Sequence, residues 1–225
     1  TVGTQKGFTL LNKTASSPGY GLSFIRRDGI DRAEWSIRSA AGRQRLYYQV
    51  DMMLDPSAKP AEPLTPPVIV KGIWKEPYAT AMTQILERAQ ERSADPYTLT
   101  REIIKEMENQ AQNAALLKDY MPRAGLIAQL LNNAGVPARV VYALMLEDGR
   151  RRQKLIEYLQ VFNGGAYELF DHQTGEQGQP ANLLLWEHNS APLLDVTGGR
   201  NSRVTFSMIE QEQPVSVVLA KKYAQ

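Results

Sequence analysis

The sequence predicts an α+β protein in which a buried helix packs on an antiparallel sheet, preceded by a small β-rich segment. Three observations point there. Residues 19–54 read as short strands between turn signals, residues 78–135 carry apolar side chains at helical spacing, and strand-like runs separated by glycine turns return after 140. With 225 residues, 43% hydrophobic and 22% charged, the chain is long enough for one large domain or two small ones.

In the first block, Tyr20 to Ile25 follows the turn signal Ser17-Pro18-Gly19. Trp35-Ser36-Ile37 and Leu46 to Val50 flank Ala41-Gly42-Arg43, as in a hairpin or meander. Nine basic and five acidic residues fall within 1–59, an excess that reads as a solvated strand face. Residues 55–67 hold five prolines, which fix φ and remove amide donors, so an extended connector is expected there. The boundary is placed at that connector, giving a β-rich segment over 1–67 and the main domain over 68–225.

Tyr78, Met82, Ile85, Leu86 and Ala89 form one apolar stripe of a first helix. It ends at Ser93-Ala94-Asp95-Pro96, where Asp95 or Thr98 caps a second helix running through Ile103, Ile104 and Met107. A third begins near Pro122, carries Leu126, Ile127, Leu130 and Leu131, and closes at Gly135. Strands follow at Val140–Leu146, Leu155–Phe162 and Ala166–Phe170, with turns at 147–150 and at Asn163-Gly164-Gly165. Asn182–Trp186 and Ala191–Val196 read as a further antiparallel pair, and Val204–Met208 and Val215–Leu219 as late strands.

Composition narrows the function. The chain has 26 Lys+Arg against 24 Asp+Glu, a net charge of +2, which argues against a dedicated nucleic-acid binder. It has no cysteine, which removes thiol catalysis, disulfides and thiolate metal sites. No run of apolar residues is long enough to span a membrane, and no signal peptide is present. The chain opens at Thr1 and is expected to be a piece of a longer protein.

The segment Ala134-Gly135-Val136-Pro137-Ala138-Arg139-Val140-Val141, followed by two strands and a Gly-Gly turn, resembles the transglutaminase-like core, a papain-like cysteine protease fold. Active members of that family carry a Cys at the start of the central helix, a His on a following strand and an Asp after an aromatic residue on the next. Without gaps, the resemblance puts the Cys position on Tyr120 and the His position on Ile156, within Ile156-Glu157-Tyr158-Leu159-Gln160-Val161-Phe162. Asp171, after Tyr167-Glu168-Leu169-Phe170, is retained. A phenol without an adjacent base is a poor nucleophile and isoleucine moves no proton, so the expectation is a pseudoenzyme.

The stretch Ala15 to Leu22 and the Arg-rich hairpin look like the inactive transglutaminase-like domains of bacterial membrane proteins. Over 71–175 the likeness is expected to be strongest, and over 1–54 weaker. It implies a periplasmic module of an inner-membrane protein, between a membrane helix and a bundle of seven. It also implies genomic neighbours encoding a glutamate ligase and a retropepsin-like protease, and a link to osmotic stress. The role implied is binding a peptide, an amino acid or a periplasmic protein and passing that event to the protein's own transmembrane bundle, with no cofactor.

Tyr120, Tyr158, Asp171 and His172 are the candidate ligand-binding residues. Against this stand Tyr120 and Ile156 as simple core filling, and Asp171 as an acceptor of backbone amides at a strand end. Asp171-His172 with Glu187-His188 makes a poor metal site, because sequence neighbours on an extended segment point to opposite faces; no metal is expected. A Ser-dependent amidase on Ser190 or Ser202 lacks its usual sequence context. A structural docking scaffold is the other alternative. Arg150, Arg151, Arg152 and Lys154 crowd beside a turn, as a solvated tip or as a contact for anionic lipid or an acidic ligand.

Overall fold

The computed structural model describes residues 3–27, 30–60, 65–148, 152–187, 195–200 and 203–210. Helices form where the apolar stripes lie. α1 (Tyr78–Glu91) buries Met82 and Ile85, and α2 (Pro96–Asn109) buries Ile103 and Ile104. Asp95 is the N-cap of α2: its carboxylate accepts from the amides of Tyr97 and Thr98, and the Asp95 amide donates to Thr98 Oγ1, a complete capping box.

α4 (Arg123–Asn133) begins after Pro122 and buries Leu126, Ile127, Leu130 and Leu131, each contributing about 2 kcal/mol by leaving water. Gly135 adopts a φ of 84° and closes α4, with the Val136 amide reaching back to the Leu131 carbonyl at 2.9 Å. α3 (Ala111–Lys118) is an additional helix that the sequence reading does not contain. Its residues favour helix but form no apolar stripe, and only Leu117 is buried.

Four strands, β5 (Ala138–Met145), β6 (Leu155–Asn163), β7 (Ala166–Phe170) and β8 (Leu183–Glu187), form one antiparallel sheet in the order β7-β6-β5-β8. Side chains alternate across it. Val140, Leu159, Val161 and Phe170 join the core built by α1, α2 and α4. Val141, Ala143, Tyr158, Leu169, Leu183 and Leu185 form a second cluster on the opposite face. Mixed helix and antiparallel sheet make this an α+β architecture, as expected.

The N-terminal strands pair differently from the expected meander. β1 (Gly7–Ser16) pairs with β4 (Tyr47–Asp55), and β2 (Gly21–Arg27) pairs with β3 (Ile30–Ser36). The strands around Trp35 and Leu46 therefore do not join each other across Ala41-Gly42-Arg43. In β1 the register slips between Leu10 and Asn12, a bulge that breaks its period-2 pattern. Phe8 of the β1–β4 ribbon packs with Val50 and Met52 against Leu184, Leu146 and Trp186 of the main sheet.

β8 pairs with β5; of the partner expected for it, residues 191–194 lie outside the described residues, and Asp195 and Val196 are not in a strand. Of the expected late strands, 204–208 makes only a bridge, Gln153 to Phe206, while 215–219 lies outside the described residues. Phe206 stacks edge-on against Trp186 with ring centroids 4.9 Å apart.

Three amide side chains fasten these pieces by pairing both ways with one backbone residue. Gln5 Nε2 donates to the Leu185 carbonyl and Gln5 Oε1 accepts from the Leu185 amide, both at 2.8 Å, so Gln5 stands in for a neighbouring strand along β8. Asn132 pairs with Ala138 at the start of β5 (3.1 and 3.2 Å), and Asn133 pairs with Gly72 (2.7 and 3.1 Å). The last of these holds Gly72, in the segment 65–75 that forms no helix or strand, against α4, where Trp74 Nε1 also donates to Gln129 Oε1 at 3.1 Å.

Candidate functional site

Tyr120 lies in the turn between α3 and α4, its amide donating to the Leu117 carbonyl at 3.0 Å. Pro122 sets the chain extended and cannot donate, so α4 starts one residue later, at Arg123. A thiolate gains from the helix dipole within the first turn of a helix, whereas Tyr120 lies two residues before the N-cap Pro122. The Tyr120 ring packs on Tyr78, with centroids 4.8 Å apart at 32°, and borders the helix-side core.

An open depression of about 800 Å³ lies over this turn. Met107, Met121 and Leu126 line it with apolar groups, and Lys118, Asp119, Arg123 and Gln173 with polar ones, together with Tyr120. Neither Tyr158 nor Asp171 lines it.

Ile156 pairs with Ala143 and packs in the second cluster, on the sheet face away from the helices. Leu159, three residues on, faces the helical core, so strand alternation sends Ile156 the other way. Tyr158 shares that second cluster and is 6% exposed. Burial is the main cause that pushes its phenol above the usual value, with Asp171 and then Glu176 adding to it. The space expected between Tyr120, Tyr158 and Asp171 thus resolves into two environments on opposite sides of the sheet.

Asp171 organises the loop after β7. Its Oδ1 accepts from the amides of Gln173 (2.7 Å) and Thr174 (3.2 Å), and its carbonyl accepts from Gly175 at 2.8 Å. That is the amide-accepting reading of Asp171 set out above. His172 is half-buried, with Nδ1 3.2 Å from Gln173 Nε2. Burial holds the imidazole below its usual pKa; Asp171 and Glu157 oppose this, and Arg123 reinforces it.

Arg123 is the residue that sequence reasoning missed. Its Nε donates to the His172 carbonyl at 2.9 Å, and its Nη2 lies 3.9 Å from Glu108 Oε1, so it joins the start of α4 to the loop that Asp171 shapes. The signal was present: a cation in the first turn opposes the helix dipole, so an arginine there calls for a partner.

Of the cationic tip, Arg152 and Lys154 are exposed, while Arg150 and Arg151 lie outside the described residues. His188, Ser190 and Ser202 lie outside them too. Among the described residues no three His, Asp or Glu side chains are grouped so as to hold a metal ion, and no helix is long and apolar enough to cross a membrane.

Chemically, the turn before α4 offers a phenol, a guanidinium, an ammonium and the Asp119 carboxylate beside apolar side chains. No nucleophile–base pair is assembled there by the residues that the sequence pattern registers. The model of a family described as inactive transglutaminase fused to 7 transmembrane helices matches residues 1–121. The match takes in the β-rich segment, α1 to α3 and Tyr120, and ends before Ile156, Tyr158, Asp171 and His172. No curated protein gives a match. No solved structure gives one either.

Proposed function

Because the chain belongs to the family of inactive transglutaminases fused to seven transmembrane helices, we propose that it is a non-catalytic binding domain on the periplasmic side of a bacterial inner membrane. In this reading α4 and the β5–β6–β7 strands are the papain-like core, and the site has become a receptor. It reports a bound peptide or amino acid to the protein's own transmembrane bundle. The observation that carries the reading is Tyr120, a phenol in the turn before α4 that lines an open depression together with Lys118, Asp119, Arg123 and Gln173. A phenol without a base does not attack an acyl group, but it stacks and hydrogen-bonds well.

Within this reading Tyr120 makes direct ligand contact. Asp171 and His172 shape the loop that Arg123 ties to the rim. Tyr158, buried on the other face, supports the loop through the sheet rather than touching ligand. The test is a thermal-shift screen of the purified chain against a set of di- and tripeptides, run beside assays for amine incorporation and peptide hydrolysis. The expected outcome is a peptide-dependent rise in melting temperature that Tyr120→Ala removes, with no turnover. Turnover that Asp171→Ala abolishes would defeat the proposal.

A second reading, a docking scaffold for a neighbouring periplasmic protein, draws on Leu11, Met53 and Leu54, large apolar side chains exposed on the β1–β4 ribbon. Peptide binding lost in Tyr120→Ala but untouched by Leu54→Ser favours the first reading over the second.

A further inference from the structure

Residues 65–75 (Thr-Pro-Pro-Val-Ile-Val-Lys-Gly-Ile-Trp-Lys) belong to no helix or sheet and meet α4 at Gly72 and Trp74. The strap is anchored at its second half: Asn133 holds both backbone groups of Gly72 and Gln129 holds the Trp74 indole, and a Cβ built on Gly72 would come within 2.3 Å of Gln129 Nε2, so any side chain there would displace Gln129. Ile69 and Trp74 are half-buried. That leaves the outward positions, and these carry Val68, Val70 and Ile73, exposed by 85%, 71% and 90%.

Three exposed β-branched apolar side chains within six residues, on a segment anchored to α4, form an apolar row of the kind that marks an interaction surface. The charges present are both positive. Lys71 and Lys75 lie within the strap, which contains no Asp or Glu. The first carboxylate after it, Glu76, turns back to accept from Thr80 Oγ1. An apolar row with cations interleaved has the chemistry of a segment that seats in the headgroup region of an anionic bilayer, with hydrocarbon inserted and ammonium groups at the phosphates. The strap lies inside the stretch matched by a family whose members are fused to transmembrane helices, so a bilayer is the surface to which this chain is tethered.

We propose that the strap 65–75 is a membrane-contact element that sets the domain against the anionic bilayer holding its own transmembrane helices. The anchors at Gly72 and Trp74 limit the conformational entropy lost on contact, and tethering raises the effective concentration of the bilayer, so a modest intrinsic affinity suffices. The inference is independent of the depression at Tyr120 and stands whether or not that site binds a ligand.

The experiment is co-sedimentation of the chain with phosphatidylglycerol–phosphatidylethanolamine vesicles, beside vesicles of phosphatidylcholine alone. Binding to the anionic vesicles is expected, with little to the neutral ones. The triple variant Val68→Ser, Val70→Ser, Ile73→Ser should lower it by about tenfold or more, and Lys71→Gln with Lys75→Gln by about thirtyfold. Because the altered side chains are exposed, an unchanged urea midpoint confirms that the variants fold. Three results overturn the proposal: no binding to anionic vesicles; binding that survives both strap variants but is lost in Arg152→Gln with Lys154→Gln; or a dimer formed without vesicles that the serine variant abolishes, which would assign the strap to a second copy of the chain.

Discussion

Replacing Gln5 by alanine tests whether one amide side chain fastens the N-terminal ribbon to the main sheet. Gln5 is 5% exposed and Leu185 is 2% exposed. The substitution removes two hydrogen bonds of 2.8 Å and strands the Leu185 amide and carbonyl in a place with little water. Each orphaned backbone group costs about 1–3 kcal/mol. Some water will enter the space that the side chain leaves, so the low half of that range applies, and the total is about 2–4 kcal/mol. With a urea dependence of about 2 kcal/mol per molar, the unfolding midpoint should fall by about 1–2 M. Amide exchange supplies the second readout: the Leu185 N–H, now protected by Gln5 Oε1, should exchange at least about thirtyfold faster. A midpoint within about 0.3 M of wild type, with Leu185 protection unchanged, would refute the argument that Gln5 acts as a strand surrogate.

Two pH-dependent predictions follow from buried groups. Glu106 is buried and accepts from Gln110 Nε2 and Arg92 Nη1, both at 2.9 Å; the Gln110 hydrogen bond is the leading cause holding its carboxyl below the usual value, against the opposing effect of burial. A carboxyl lowered in the folded state stabilises above its unfolded pKa, and that stabilisation is lost as pH falls through the folded value. Glu106→Gln should therefore cost about 1–2 kcal/mol at pH 7 and much less at pH 3 in urea titrations; an equal cost at both would count against this account. His172 has its folded pKa lowered, chiefly by burial, so its neutral form is favoured in the native protein. That contribution is complete above the unfolded value and is lost as pH falls from there through the folded one. His172→Gln should flatten the melting temperature between pH 7.5 and 5, and a profile parallel to wild type would exclude His172 as its source.

The helices were the most legible part of the sequence. Pro96 after Asp95, Pro122 before the Leu126–Leu131 stripe and Gly135 after it leave little freedom, so α2 begins, and α4 begins and ends, where these residues dictate, while no such signal marks the end of α2 at Asn109. β5 to β7 were legible for a similar reason, since Asn163-Gly164-Gly165 fixes the turn between two apolar runs. Pairing partners were not legible. β4 was read as a strand, but nothing local in Tyr47 to Asp55 tells it to choose residues 7–16 over Trp35-Ser36-Ile37, because that choice is made by long-range packing of Phe8. A local cue to the β2–β3 pairing did exist in the Asp28-Gly29 dipeptide between them. At the site, the start of α4 just after Tyr120 is readable from Pro122. The face taken by Ile156 and Tyr158 depends on strand parity against the helices, which a motif alignment does not carry.

The pairing of Ser16 with Tyr47 makes everything between them an insertion in topological terms. A two-residue turn is enough to join such partners in an ordinary hairpin. This protein instead runs out through β2 and β3 and returns to the same place. The outer arm can therefore lengthen, shorten or change its surface chemistry while the root of the ribbon, with Phe8 and Gln5, stays seated. Variation concentrated in residues 17–46 would leave the rest of the architecture undisturbed, which makes the arm the natural place for this domain to acquire new partners.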